Sequence, residues 1–303
     1  MFTIKKATLI LLFICANITN SVSQVITSKF KPMTYEEMVQ PYREASYAYD
    51  KAQNSFDENL LKATQEMTSP SANYAMAGIY YKKCIDLNSR YNNNLYSDIG
   101  GLLYNYAVCC YYTNDLDKAS TCFAKAGMIY SSKTNYNKAI ECLTNSLNIK
   151  YNGVIMFFRA RAYDAINEKT KSASDYNTII SKGCSDSEVL AMAYNNLAYY
   201  HTGNNSYSTA LDLVNKALNL SVGISFIWDT RGEIYYHTGK FNECITDMDR
   251  AISIKSGETS YGNSYYYRGL AKLKLGKKGS AKSDLKKSAK YGKPEAYHIL
   301  NTL

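Results

Sequence analysis

An all-α solenoid of stacked antiparallel helix pairs, preceded by an N-terminal helical extension, is the fold class that this 303-residue sequence predicts. Three observations predict it. Trp228, Gly232, Tyr235, Gly239, Cys244, Met248 and Ala251 take positions 4, 8, 11, 15, 20, 24 and 27 of one repeat, and Tyr194, Ala198, Ala210, Val214 and Ala217 fit the same frame 34 residues earlier. Position 8 is small in every legible repeat, filled by Ala107, Ala160, Ala198, Gly232 and Gly269, as two helices in close approach require. Turn formers cluster between repeats, at KGCSDSE and SGETSYG, where spacings of 38 and 37 exceed the basic 34 by a few loop residues.

From the N-terminus, Lys5 and Lys6 precede an apolar run from Ala7 to Ile18, and Ser21, Val22 and Ser23 follow as a small-x-small triplet. Residues 1–24 therefore read as a cleaved export signal ending at Ser23 or Gln24. Ile14 before Cys15 departs from a lipoprotein layout. No later stretch approaches the roughly 18 uninterrupted apolar residues of a membrane span, so the mature chain is expected to lack one. Residues 25–95 form the N-terminal helical segment. VITSKFKPM is expected to run extended, and Thr34 with Glu37 makes a capping box that starts a helix. Pro41 should end or kink its first turns, after which Tyr42, Ala45, Tyr49, Ala52, Phe56, Leu60, Ala63 and Met67 continue one helical stripe. SPSAN breaks it, and Ala77, Tyr81 and Cys84 mark the second helix of a degenerate repeat, closed by the asparagine run near residue 92.

Residues 96–303 carry the regular repeats. The 53 residues between Ala107 and Ala160 demand an added helix, which YNKAIECLTNSL supplies with Ala139, Leu143 and Ser146 at positions 20, 24 and 27. Its partner is open. Phe123, Gly127 and Tyr130 serve as positions 4, 8 and 11 of that repeat, while Ala119, Phe123 and Ala126 also complete the preceding one. His201 and Lys272 depart from the usual aromatic at position 11, and Asn205 replaces glycine at 15.

The frame resembles the tetratricopeptide repeat over about residues 71–296. The resemblance implies a right-handed solenoid and a protein or peptide partner. It also implies that positions 2, 5, 6, 9, 12 and 13 of each first helix face a concave groove. In this sequence those positions give Tyr104, Asn105 and Tyr112, then Phe157, Phe158, Arg161 and Asp164, then Asn195, Asn196 and Tyr199. Later repeats give Phe226, Asp229, Thr230, Glu233, Tyr236 and His237, and Asn263, Tyr266 and Tyr267. Rings beside amides suit a peptide, because the rings offer rigid apolar area and the amides bond its backbone. The asparagine and basic set with which some family members clamp a terminal carboxylate is matched only at Asn196, since Phe226 and Thr230 stand where bases are needed.

The net charge of +9 resides in one segment. Between Tyr265 and Lys293 ten basic residues face a single acid, Asp284. Lys282, Lys286 and Lys290 share one helix face and read either as the solvated outer cap of the last repeat or as a patch for an anionic envelope component. The export signal argues against nucleic acid. Seven cysteines follow the signal, an odd number without a CxxC pair, and Cys84, Cys110 and Cys244 fall on core positions. HExxH and GxSxG are absent, and His201, His237 and His298 have no ligand spacing. HTGKF and LGKKGS lack phosphate-loop spacing and read as turns. No catalytic residue, metal or cofactor is predicted, and an enzyme reading would rest on Glu36, Glu37, Glu44, Asp57 and Glu58 alone. The sequence thus points to an exported scaffold, periplasmic, envelope-associated or secreted, that binds a protein or peptide in its groove. The alternative is an adaptor docked through the basic C-terminal repeat.

Overall fold

The structure is a computed structural model that describes residues 35–254 and 261–303. The export signal, the VITSKFKPM segment, the Thr34–Glu37 box and most of the SGETSYG loop lie outside the described residues. The chain divides into two compact units, residues 1–55 and 56–303.

In the first unit residues 35–55 are helical, forming the start of α1 (Tyr35–Thr68). Of the two outcomes expected at Pro41, an end or a kink, the structure excludes the end, because the helix continues through the proline. Proline removes one intrahelical bond, and the turns on either side supply the rest. Glu36 pairs with Arg43 at 2.9 Å and Glu44 accepts a bond from Gln40 at 2.9 Å.

The second unit holds the end of α1 and thirteen further helices among the described residues. These are α2 (Tyr74–Arg90), α3 (Ile99–Tyr112), α4 (Leu116–Ser132), α5 (Tyr136–Ile149), α6 (Gly153–Ala165), α7 (Lys169–Lys182) and α8 (Ser187–Gly203). They continue as α9 (Tyr207–Leu220), α10 (Ser225–His237), α11 (Phe241–Ile254), α12 (Gly262–Lys274), α13 (Lys278–Lys290) and α14 (Glu295–Leu300). Side chains cap many starts: Asp98 accepts the Gly101 N–H, Asn152 those of Val154 and Ile155, and Asp186 those of Glu188 and Val189. The turn within each pair is the same six times. Position 15 takes a left-handed conformation at Asn114, Thr134, Asn167, Asn205, Gly239 and Gly276. The following N–H then bonds the carbonyl of position 11, as Ser206 does to His201 at 2.9 Å and Lys277 to Lys272 at 2.9 Å. The backbone of position 11 closes the turn, so His201 and Lys272 leave it intact.

Packing between paired helices follows the frame. A Cβ on Gly232 would lie 2.7 Å from Met248 Cε, and one on Gly127 would lie 2.6 Å from Leu143 Cγ. Positions 20, 24 and 27 are buried throughout, as in Ala210, Val214 and Ala217. The ambiguous helix is α4, and it serves two partners. Its first half packs Ala119, Cys122 and Phe123 against Ala107 and Cys110 of α3. Its second half packs Ala126 and Tyr130 with Ala139 and Cys142 of α5. Gly127 lies 20 residues after Ala107 and 33 before Ala160, so the long interval is one shared helix followed by one ordinary repeat.

Candidate functional site

First helices of successive repeats pack side by side, α6 on α8, α8 on α10 and α10 on α12. Between α6 and α8 lies an open cleft of about 580 Å³. Arg161, Asp164 and Ala165 of α6 line one side, and Asn196, Tyr199 and Tyr200 of α8 line the other. Lys169 and Ser172 of α7, with Gly203 and Asn204 at the end of α8, complete the rim. Arg161, Asp164, Asn196 and Tyr199, four residues expected in the groove, are thus brought to one place.

A hydrogen-bond chain fixes the floor. Asn196 Nδ2 donates to the Tyr176 hydroxyl at 2.9 Å, which donates to Asp164 Oδ2 at 2.8 Å. Ser172 Oγ donates to Asp164 Oδ1 at 2.7 Å, and Lys169 Nζ stands 3.5 Å from that oxygen. Burial, with the adjacent Asp164 carboxylate, raises the ionisation of Tyr176 well above the ordinary phenol range, so its hydroxyl stays a donor at neutral pH. Both Asp164 oxygens thus have partners. Arg161 is exposed, and among the described residues it forms neither an ion pair nor a hydrogen bond.

Further along, α10 presents Glu233. Its Oε1 accepts the Tyr267 hydroxyl of α12 at 2.7 Å, and His237 Nε2 lies 4.0 Å away. Burial first, then the Glu233 carboxylate, raises the ionisation of both Tyr199 and Tyr267. The His237 ring stacks on Tyr207 with centroids 5.5 Å apart and meets Tyr236 and Tyr267 edgewise at 5.5 and 5.8 Å. Tyr236 packs onto the core formed by Cys244, Met248 and Ala271.

Four groove expectations need correction: Thr230, which is buried to 6% exposure, and three at position 5. Phe157, Asn195 and Asp229, all at position 5, are buried to 4%, 4% and 7% exposure. Phe157 belongs to the core with Tyr176 and Leu197, and Asp229 accepts a bond from buried Ser264 of α12. Position 5 faces the neighbouring first helix, which covers it. Tyr104 donates to Glu141 of α5 at 2.9 Å, and Asn105 donates to the buried Tyr81 of α2 at 3.2 Å. Both join helices to one another.

The basic segment is partly structural. Asp284 receives Arg268 through two bonds of 2.9 and 2.7 Å and Lys272 through one of 2.7 Å. Burial works against its charge, yet these two cations hold the carboxyl below its ordinary range. Lys287 lies over the Tyr265 ring at 5.2 Å. Lys282, Lys286 and Lys290 are exposed, and among the described residues none of them forms an ion pair.

One recurrent device was missed from sequence. Arg159 with Asp175, Arg231 with Asp247 and Arg268 with Asp284 are bidentate pairs joining position 7 of a first helix to position 23 of its partner. The constant separation of 16 residues was the available signal, meaningful only once the antiparallel register is known. In the pair α8–α9 the same positions hold Leu197 and Leu213, which pack in one apolar cluster.

The tetratricopeptide-repeat family model matches residues 124–152 and 227–257. The first match spans the end of α4 with α5, and the second spans α10 with α11. Among curated proteins no sequence matches. YrrB, described as a TPR protein with an unusual peptide-binding site, aligns over 65% of this chain and 98% of its own, at 12% identity and a TM-score of 0.50. MamA aligns over 59% and 94% at 20% identity with a TM-score of 0.47. A tetratricopeptide repeat protein from Parabacteroides merdae ATCC 43184 aligns over 82% and 98% at 16% identity with a TM-score of 0.45. The helix pairs, their frame and the matched segments define a helical-repeat scaffold for protein–protein interaction. Residues 124–152 and 227–257 are tetratricopeptide repeats by that match. Among the described residues no helix is long and apolar enough to cross a membrane.

Proposed function

We propose that this protein is an exported scaffold that holds a peptide segment of a partner protein across the face built by α6, α8, α10 and α12. The observation that carries the reading is the cleft at Arg161, Asn196 and Tyr199. There an exposed cation, an oriented amide and an exposed ring from two helices converge over a fixed hydrogen-bonded floor. Such a mixture recognises peptide side chains and backbone together. A peptide-binding site is the described property of YrrB; the reading here rests on the side chains of this chain. No catalytic step belongs to it. Of the carboxylates an enzyme would need, Glu36, Glu44 and Glu58 are each engaged by a neighbour on α1 itself.

Crosslinking and pull-down from the native cell, followed by titration of the captured partner, tests the proposal. Replacing Arg161, Asn196 and Tyr199 together with alanine is expected to weaken binding while the circular dichroism melt stays cooperative. Changing Lys282, Lys286 and Lys290 to glutamate is expected to matter little. Binding that survives the first set, is abolished by the second and falls steeply with added salt would move the site to the basic strip of α13. Export is checked by N-terminal sequencing of the mature protein, expected at or near Gln24; an intact Met1 in a cytosolic fraction would refute it.

A further inference from the structure

The face is not uniformly polar, and its unneutralised charges lie at opposite places. At α6 the positive group is Arg161. Its neighbour Asp164 is bonded instead to Ser172 and Tyr176, with Lys169 at 3.5 Å, and forms no ion pair with it among the described residues. At α10 the negative group is Glu233. Its side chain is 13% exposed; its Oε1 accepts the neutral Tyr267 hydroxyl, His237 Nε2 lies 4.0 Å away, and among the described residues no lysine or arginine pairs with it. Around Glu233 the rings of Tyr267 and His237 contact each other. A carboxylate among aromatic faces suits a cationic side chain, through ion pairing and the ring quadrupoles. Tyr199, on α8, lies between these two charges; it is 57% exposed and lines the Arg161 cleft.

We propose that this face selects an extended peptide by two opposite charges, an acidic side chain seated on Arg161 and a basic one on Glu233, with the intervening residues crossing Tyr199. The inference rests on the peptide-groove reading above and adds the partner's charge pattern. Packed helices lie roughly 8–10 Å apart, so α6 and α10, with α8 between them, present the two charges roughly 16–20 Å apart. An extended chain rises about 3.3 Å per residue, which places the acid and the base about five or six residues from each other. A lone anion would leave Glu233 without a lysine or arginine beside it, and a lone cation would leave Arg161 without an anion; a peptide bearing both satisfies each.

The test is a display selection of random peptides, each about twelve residues long and therefore able to span the face at about 3.3 Å per residue, on the full chain. Fluorescence anisotropy on the enriched sequences follows. The expected result is enrichment of sequences with an acid and a base five or six residues apart, whose binding is lost in Tyr199→Ala. Arg161→Glu should weaken such a peptide roughly tenfold, and exchanging the peptide's acid for lysine should restore binding to that variant. Glu233→Gln, which keeps an acceptor for Tyr267, should weaken the peptide's basic end in the same way. Peptides that need Tyr199 but lack this charge pattern, or that bind Arg161→Glu as well as the parent, would overturn the charge inference and leave the groove standing. Failure to enrich any Tyr199-dependent peptide would overturn the groove reading and this inference together.

Discussion

Replacing Asp247 alone with leucine strands a buried guanidinium. Arg231 Nε and Nη2 bond the two Asp247 oxygens at 2.7 and 2.9 Å, and Nη1 bonds Asn215 Oδ1 at 3.0 Å. The guanidinium lies 4.9 Å from the Trp228 ring centroid and 5.6 Å from that of Tyr235. The Asp247 side chain is 4% exposed and that of Arg231 is 20% exposed. Removing one partner of a buried pair costs about 3–5 kcal/mol; with a fifth of the arginine still in water, the lower figure of about 3 kcal/mol is expected. Removing both partners is a different perturbation. Positions 7 and 23 of the α8–α9 pair already hold Leu197 and Leu213, so the same frame accommodates an apolar solution. Arg231→Leu with Asp247→Leu should fall within about 1 kcal/mol of the parent, the remainder reflecting about 0.5–1 kcal/mol of lost cation–π contact. Trp228 is the single tryptophan of the chain and sits on the ring side of this pair, so its fluorescence during urea unfolding reports the affected repeat. An Asp247→Leu cost below about 1 kcal/mol, or a double variant no better than the single, would refute the assignment of stability to this pair.

Three further outcomes follow from the packing. Gly232→Leu and Ala198→Leu should each cost roughly 1–3 kcal/mol by overpacking position 8, and unchanged thermal melts in both would overturn the frame. Thr134 is β-branched yet holds φ +59° at position 15, so Thr134→Gly should stabilise the chain by about 1 kcal/mol; a lowered melting temperature would contradict that. Burial pushes the Cys142 and Cys244 thiols up to about 12 and those of Cys84 and Cys109 up to about 11. Native protein at pH 8 should therefore react with a thiol reagent at half-exposed Cys184 well before these four, and mass spectrometry showing equal labelling would refute it.

How much could be read beforehand differed by residue type. Small residues were informative because close helix approach excludes anything larger, so Gly232, Ala198 and Ala160 located their helix pairs without further knowledge. The double role of α4 could not be settled from spacing, since Phe123 satisfies position 24 of one repeat and position 4 of the next, and only the packing of both halves decides it. The arginine–aspartate pairs were visible as letters, but Arg231 and Asp247 on an assumed surface look like ordinary solvated charges. Their meaning depends on two helices lying antiparallel with positions 7 and 23 opposed.

Asn195 and Asn196 show why the binding face was harder to read than the fold. They are identical and adjacent, and in sequence both qualify as groove residues. Successive helical residues point about 100° apart, so neighbours on one helix meet different surroundings. Asn195, at position 5, is buried to 4% exposure, whereas Asn196 lines the cleft and bonds Tyr176 of α7. The family's groove positions are assigned per helix, but accessibility belongs to the stack, because the next first helix covers whatever points toward it. At position 9 Arg161 and Tyr199 are exposed and Glu233 keeps 13% of its side chain in solvent, whereas Phe157, Asn195 and Asp229 at position 5 have become core. Grafting a specificity onto this chain should therefore begin at position 9; a change at Asn195 or Asp229 would alter helix packing first and binding only through it.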